Sequence, residues 1–127
     1  PLRIFTGKYD EVRDKTFRNN KRENMVKHVI LWQLREDLTA EEKENIKQGI
    51  KQGLEGLAGR IPGLLSIAVN IDGRLDSSNV DVMLDSTFAD EAALKAYAVH
   101  PEHVAVAKSK VVPYTCMRAC LDYEIND

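Results

Sequence analysis

Cysteine is scarce in this chain, with two in 127 residues, and so are proline, with four, and aromatic side chains, at 6% with a single tryptophan. Two thiols are too few for a disulfide framework or for a zinc site built from cysteines alone. Cys116 and Cys120 stand four apart. On a strand that spacing puts them on one face about 13 Å from each other, beyond the roughly 7 Å between Cα atoms that a disulfide spans. Free, buried thiols belong to a reducing setting, so a cytoplasmic location is expected. An excess of one charge is also missing. The net charge of −2 gives no bulk attraction for nucleic acid. No apolar run approaches the roughly 20 residues that a membrane helix needs, and no apolar signal-peptide region stands at the N-terminus. Neither a glycine-rich phosphate loop nor an H-E-x-x-H spacing occurs. What is present, 43% hydrophobic and 30% charged residues, is the composition of one globular core.

The densest chemistry lies in Tyr97-Ala98-Val99-His100-Pro101-Glu102-His103-Val104. Proline removes a backbone donor and forces the preceding residue out of the helical region. One helix should therefore end at His100 and another begin at Pro101, with both imidazoles and a phenol at the corner. Histidine titrates near neutrality without assistance. His100 suits a helix-end cap, where a positive imidazole would meet the C-terminal dipole.

Elsewhere the apolar pattern sets out the elements. Val26 to Arg35 alternates, with Val26, His28, Ile30, Trp32 and Leu34 on one face and Lys27, Val29, Leu31 and Gln33 on the other. Both faces carry apolar residues, so one should meet helices of this chain and the other a second subunit. Thr39 and Glu42 form a capping box ahead of Ile46, Ile50, Leu54 and Leu57 at helical spacing. Gly49 and Gly53 flank this stripe and fit close approach to a sheet, room for a ligand, or simple tolerance. Gly59 reads as the helix end and Pro62-Gly63 as a turn. Leu65, Ile67, Val69 and Ile71 alternate in a second strand, and Val80 to Phe88 forms a third. Asp81 and Asp85 on its opposite face read as solvated or as the rim of a subunit contact. Asp90 caps a helix carrying Leu94 and Tyr97, a further piece runs from Pro101 to Pro113, and Tyr114 to Ile125 is the last strand. Arg118 and Asp122 on that strand stand too far apart to pair and should find partners on other strands. The order is β-α-β-β-α-β with the second helix broken at His100-Pro101. This is a ferredoxin-like α+β arrangement with a four-stranded antiparallel sheet.

The opening Met25-Val26-Lys27-His28-Val29-Ile30, the strand ending in Phe88, the Ala93-Leu94-x-Ala96-Tyr97 helix, the His-Pro-x-His-Val corner and the closing strand with Asp122 resemble the stress-responsive A/B barrel (Dabb) domain over residues 25–125. The resemblance implies a homodimer in which two sheets meet face to face as a barrel. One plant member of that family closes a linear polyketide by aldol condensation without metal or cofactor. Its catalytic tyrosine and histidine fall on Tyr97 and His103, and a pocket-facing histidine of its first strand falls on His28. His28, Ile30, Trp32 and His100 are accordingly the expected ligand-contacting residues.

Three readings follow. In the first, the domain is a cofactor-free catalyst of the cyclase or lyase kind. His103 removes a proton next to a carbonyl while Tyr97 donates to the oxygen that gains charge. In the second, the cavity binds a small apolar or aromatic carbonyl compound without turning it over. In the third, the protein is a non-catalytic structural or stress-associated dimer with a filled core. Trp32 then occupies the pocket, His28 is a satisfied core residue and His103 locks the corner to a backbone carbonyl or carboxylate. No cofactor is expected. No metal is expected either, since the three histidines lack a carboxylate at diagnostic spacing.

Residues 1–24 differ from the rest. They carry +3, whereas residues 25–127 carry −5, and Arg18 to Asn24 is polar and aperiodic. Arg22-Glu23 can be encoded by a purine-rich ribosome-binding sequence, suitably placed for a start at Met25. The stretch is thus either a mis-assigned upstream region or a genuine basic arm that packs on the domain or a partner. With a start at Met25, tandem mass spectrometry of the native protein will yield no peptide from residues 3–13; one such peptide rules that start out.

Overall fold

The structure, a computed structural model, describes residues 24–125. The expectation for the N-terminal stretch lies outside these residues, apart from Asn24. The elements are β1 (Met25–Leu34), α1 (Ala40–Glu55), β2 (Leu64–Asn70), β3 (Val82–Phe88), α2 (Glu91–Ala98), α3 (Pro101–Val106) and β4 (Thr115–Ile125). A π-helical turn (Ala107–Val111) and a 3-10 turn (Val112–Tyr114) join α3 to β4. The sheet order is β2-β3-β1-β4 with every pair antiparallel. This is the ferredoxin-like α+β fold expected from the sequence, including the break at His100-Pro101.

The alternation of β1 is realised in full. Val26, His28, Ile30, Trp32 and Leu34 are buried, and the residues between them are half-buried or exposed. The buried face joins Val82, Leu84 and Phe88 of β3 and Ile50 and Leu54 of α1 in one core. Thr39 caps α1 in the expected box, accepting from the Glu42 N–H at 3.1 Å while the Glu42 carboxylate accepts from the Thr39 N–H at 2.8 Å. Ser86, fully buried, donates its hydroxyl to the His28 carbonyl at 2.8 Å, so the polar atom opposite His28 is satisfied.

Helix α1 is pinned to β2 by two side chains. Lys51 Nζ donates to the Val69 carbonyl at 2.7 Å and the Glu55 carboxylate accepts from the Val69 N–H at 2.9 Å. These bonds satisfy backbone groups on the open edge of the sheet. The hydrogen bond from Lys51, together with the Val69 N–H, holds the Glu55 carboxyl below its usual range.

The structure corrects several expectations. α1 ends at Glu55 with Gly56 as its cap, one turn before Gly59. The register shifts between Leu64 and Ser66, which turns Leu64 toward the core and leaves Leu65 exposed at 55%. Gly53 serves close approach to a helix, not to the sheet. A Cβ there would stand 2.9 Å from Val106 Cγ1 of α3. Asp81 is not solvated. Its carboxylate accepts from the Leu34 N–H at 2.8 Å and pairs with Arg74 at 3.1 Å, tying the β2–β3 loop to β1. Asp85 pairs with Lys27 at 2.5 Å. Cys116 and Cys120 are free as expected, but exposed, because no helix covers β4.

The outer face of the sheet carries Val29 and Leu31 of β1, Met83 of β3 and Met117, Leu121 and Tyr123 of β4, the last four exposed. Among the described residues no helix is long and apolar enough to cross a membrane.

Gly63 sets the position of α2. Its φ is +85°, and a Cβ there would lie 2.5 Å from the Ala93 Cβ. Left-handed backbone and steric conflict act together at this residue. Gly63→Ala is expected to destabilise the domain by about 1–3 kcal/mol or more in chemical denaturation; a midpoint equal to wild type would refute this account.

Candidate functional site

Two caps build the corner. Asp90 opens α2 by accepting from the Ala93 N–H at 2.8 Å. His100 opens α3, its Nδ1 accepting from the Glu102 N–H at 3.1 Å, with Pro101 in the first helical position. His100 is therefore a cap, but of the following helix. Acceptance at Nδ1 requires that nitrogen to be unprotonated, which replaces the positive imidazole expected at the end of α2. The side chain does not line the cavity described below, so the structure does not support His100 as a ligand contact.

Across this corner the rings of Tyr97, in the last turn of α2, and His103, in the first turn of α3, lie 4.1 Å apart at 33°. Tyr97 also packs on Phe88 at 4.9 Å and stands edge-on to His28 at 6.0 Å. The phenol is 1% exposed. Its hydroxyl and His103 Nδ1 are buried without a hydrogen-bond partner among the described residues. Leaving such a group unpaired costs about 1–3 kcal/mol, which a ligand able to meet both would recover. Burial pushes the Tyr97 phenol up to about 12, so it remains a donor at neutral pH. Burial also lowers His103. The Ala98 and Tyr97 carbonyls favour its protonated form, though neither is placed to bond Nδ1, while the positive charge of Arg118 adds to the lowering. His103 is thus held as a neutral imidazole.

Tyr97 and His103 share a cavity of about 370 Å³ with His28, Ile30 and Trp32 of β1. Five of the six residues expected at the site are thereby brought together. Trp32 forms part of the wall without filling the space. The π-helical turn contributes Ala107 and Val111, and β4 contributes Cys116 and Arg118. Arg118 is the one cationic Lys or Arg side chain in this lining. It makes no ion pair among the described residues and lies beside the Cys120 thiol.

His28 lies at the seam between covered and bare sheet. Its Nδ1 is 2.5 Å from the Asp122 carboxylate, directly opposite on β4. Cys120 Sγ lies 3.5 Å from the same carboxylate and 4.0 Å from Nδ1. No sequence pattern marks Arg118, Cys116 and Asp122 as site residues. Their alternation on β4 was legible, but only the register against β1 places them on the face of His28.

A four-stranded antiparallel sheet with a single helical layer, and a cavity between that layer and β1, defines a ferredoxin-like α+β domain with an internal site. The family model for the stress responsive A/B barrel domain (Dabb) matches residues 26–125. The chain belongs to this family. It is similar to a dimeric protein of unknown function and ferredoxin-like fold from Bacteroides fragilis, at 34% identity and a TM-score of 0.75, covering 83% of this chain and 100% of that one. A dimeric ferredoxin-like protein of unknown function from Jannaschia is 27% identical with a TM-score of 0.63, covering 80% and 99%. Hydroxynitrile lyase from Passiflora edulis, at 17% identity and a TM-score of 0.63, covering 84% and 97%, shares the fold. No curated protein matches the chain.

A histidine whose folded pKa is lowered binds fewer protons when folded than when unfolded. Stability then rises with pH in this range and is lost as pH falls below the unfolded value of about 6.5. His103→Gln should flatten the dependence of Tm on pH below neutrality relative to wild type. An NMR titration of His103 should give a midpoint below that of an unfolded peptide; a midpoint above it contradicts the burial argument.

Proposed function

We propose that the domain binds a small apolar or aromatic carbonyl compound between its sheet and helices, and that Tyr97 and His103 act on it as donor and base. The observation that carries this reading is the pair of buried, unpartnered polar atoms on two stacked rings in a largely apolar cavity of about 370 Å³. Neutral His103 takes a proton from the carbon next to the carbonyl. The C–H electron pair moves into the new C=C bond, and charge passes to oxygen. The Tyr97 hydroxyl, held protonated by burial, donates to that oxygen. The enolate then attacks a second carbonyl in the same molecule, as in an aldol closure, and the alkoxide formed there takes the proton back from His103; without a second carbonyl the enolate carbon recovers that proton itself. His28, Ile30 and Trp32 shape the wall, and Arg118 favours a ligand with an anionic group at the cavity mouth. Binding without turnover is the neighbouring reading. The open cavity beside Trp32 weighs against a filled core.

The reading includes a homodimer formed through the outer sheet face. Exposed Met83, Met117, Leu121 and Tyr123 there form an apolar surface that a second copy would cover, and the Bacteroides fragilis relative, 34% identical, is dimeric. A cytoplasmic setting is consistent with the two free thiols.

The chemistry is tested by incubating a panel of aromatic and alkyl ketones, with and without carboxylates, in D₂O and following exchange next to the carbonyl by NMR. Wild type should accelerate exchange for at least one compound, and Tyr97→Phe and His103→Gln should each reduce that rate by about 10²–10⁴-fold. Saturable binding without exchange would overturn catalysis and leave the binding module. Neither exchange nor binding across the panel would overturn both. In sedimentation at micromolar concentration the wild type should run at twice its 14.3 kDa chain mass, and Leu121→Glu should shift it toward the single chain. A wild type that sediments as one chain excludes the dimer.

A further inference from the structure

His28, Cys120 and Asp122 offer one imidazole nitrogen, one sulfur and one carboxylate oxygen, all within 4.8 Å of one another. The ladder between β1 and β4 fixes this grouping. Asp122 stands directly opposite His28, and Cys120 lies two residues along the same face, opposite Ile30. We propose that these three side chains form a binding site for a divalent transition metal of the zinc class, distinct from the Tyr97–His103 pair and independent of what the cavity binds.

The donor set selects the metal. A thiolate with an imidazole and one carboxylate suits zinc and its neighbours, whereas magnesium and calcium require oxygen cages. Three protein ligands on a strand pair leave a fourth position for water, the arrangement of an open zinc site. The distances agree. Tetrahedral bonds of about 2.0 Å to nitrogen and oxygen and about 2.3 Å to sulfur place donors about 3.3–3.5 Å apart. Sulfur and carboxylate already stand at 3.5 Å. The imidazole and carboxylate, at 2.5 Å, share a proton where the metal would sit and need to separate by less than about 1 Å. The sulfur and imidazole, at 4.0 Å, need to close by about half an ångström. Rotation of the exposed Cys120 and Asp122 side chains supplies both movements, while buried His28 is held by the core.

The proton balance is simple. The Cys120 thiol releases its proton to solvent, and the proton on His28 Nδ1 moves to Nε2 as the metal takes the Nδ1 lone pair. Net charge at the site rises from −1 to 0 with one Zn²⁺. Because the metal takes the thiolate and releases its proton, binding strengthens as pH rises.

Co²⁺ titrated into the reduced full chain tests the site through the thiolate-to-cobalt charge-transfer band in the near ultraviolet, with Zn²⁺ added afterwards to displace it. Wild type and Cys116→Ser should show a saturating band at one equivalent, bleached by Zn²⁺. Cys120→Ser should lose the band with unchanged far-ultraviolet circular dichroism, and Asp122→Asn should keep the band with at least about 10-fold weaker binding. A wild type without a saturable band, or a band that survives Cys120→Ser and disappears in Cys116→Ser, overturns the proposal.

Discussion

The helical layer of this domain is one strand narrower than its sheet, and most of what is distinctive in the molecule depends on that mismatch. The helices cover the inner faces of β2, β3 and β1 and stop there, leaving β4 bare. Where apolar packing ends, the sequence of the inner face changes from Ile30 and Trp32 to Cys116, Arg118, Cys120 and Asp122. The cavity forms along this boundary because the α3 and π-helical segment reaches toward β4 without closing on it. A wider layer would fill the space with core. A narrower one would leave Tyr97 and His28 to solvent and remove the burial that shifts the titration of the corner side chains.

Tyr97 holds this boundary together. It is almost fully buried, touches Phe88 below and His103 above, and stands edge-on to His28. Such aromatic contacts contribute beyond the area they bury, so the phenol ring is both a core residue and the base of the cavity. The two roles conflict at one atom. The ring is placed by packing, and packing leaves the hydroxyl without a partner. A core residue selected only for stability would be phenylalanine at this point. The hydroxyl is therefore not explained by the packing that surrounds it.

Much of the fold was legible in the sequence because it rests on local rules. Alternation gave β1, the Thr39–Glu42 box gave the start of α1, and proline gave the corner. Legibility failed where a decision belonged to a second element. The bulge at Leu64–Ser66 reverses the expected side of Leu65, and no residue there announces it. Asp81 lies on the wet side of an isolated β3, but the neighbouring Arg74 loop and the end of β1 claim its carboxylate. At the site, Tyr97, His103, His28, Ile30 and Trp32 were accessible from pattern and family resemblance. Arg118, Cys120 and Asp122 were not, because their meaning depends on the register of β4 against β1. The pattern marks His100 as a cap without fixing which of the two helices it caps. The local choice between ending α2 and beginning α3 is decided by the direction of one N–H, that of Glu102.

The close contact of Gly53 with Val106 has a further consequence. α3 rests on α1 through a point where α1 contributes no side chain and Val106 of α3 meets its backbone, and α3 carries His103. The height of the cavity roof is thus set on the outer side of the helical layer, at a residue no occupant can touch. A methyl group added at Gly53 would meet the Val106 side chain and force a shift at the contact between α1 and the helix that carries the imidazole, while every group facing the interior stays chemically the same. The shape of the cavity thus depends on a contact one layer outside its walls.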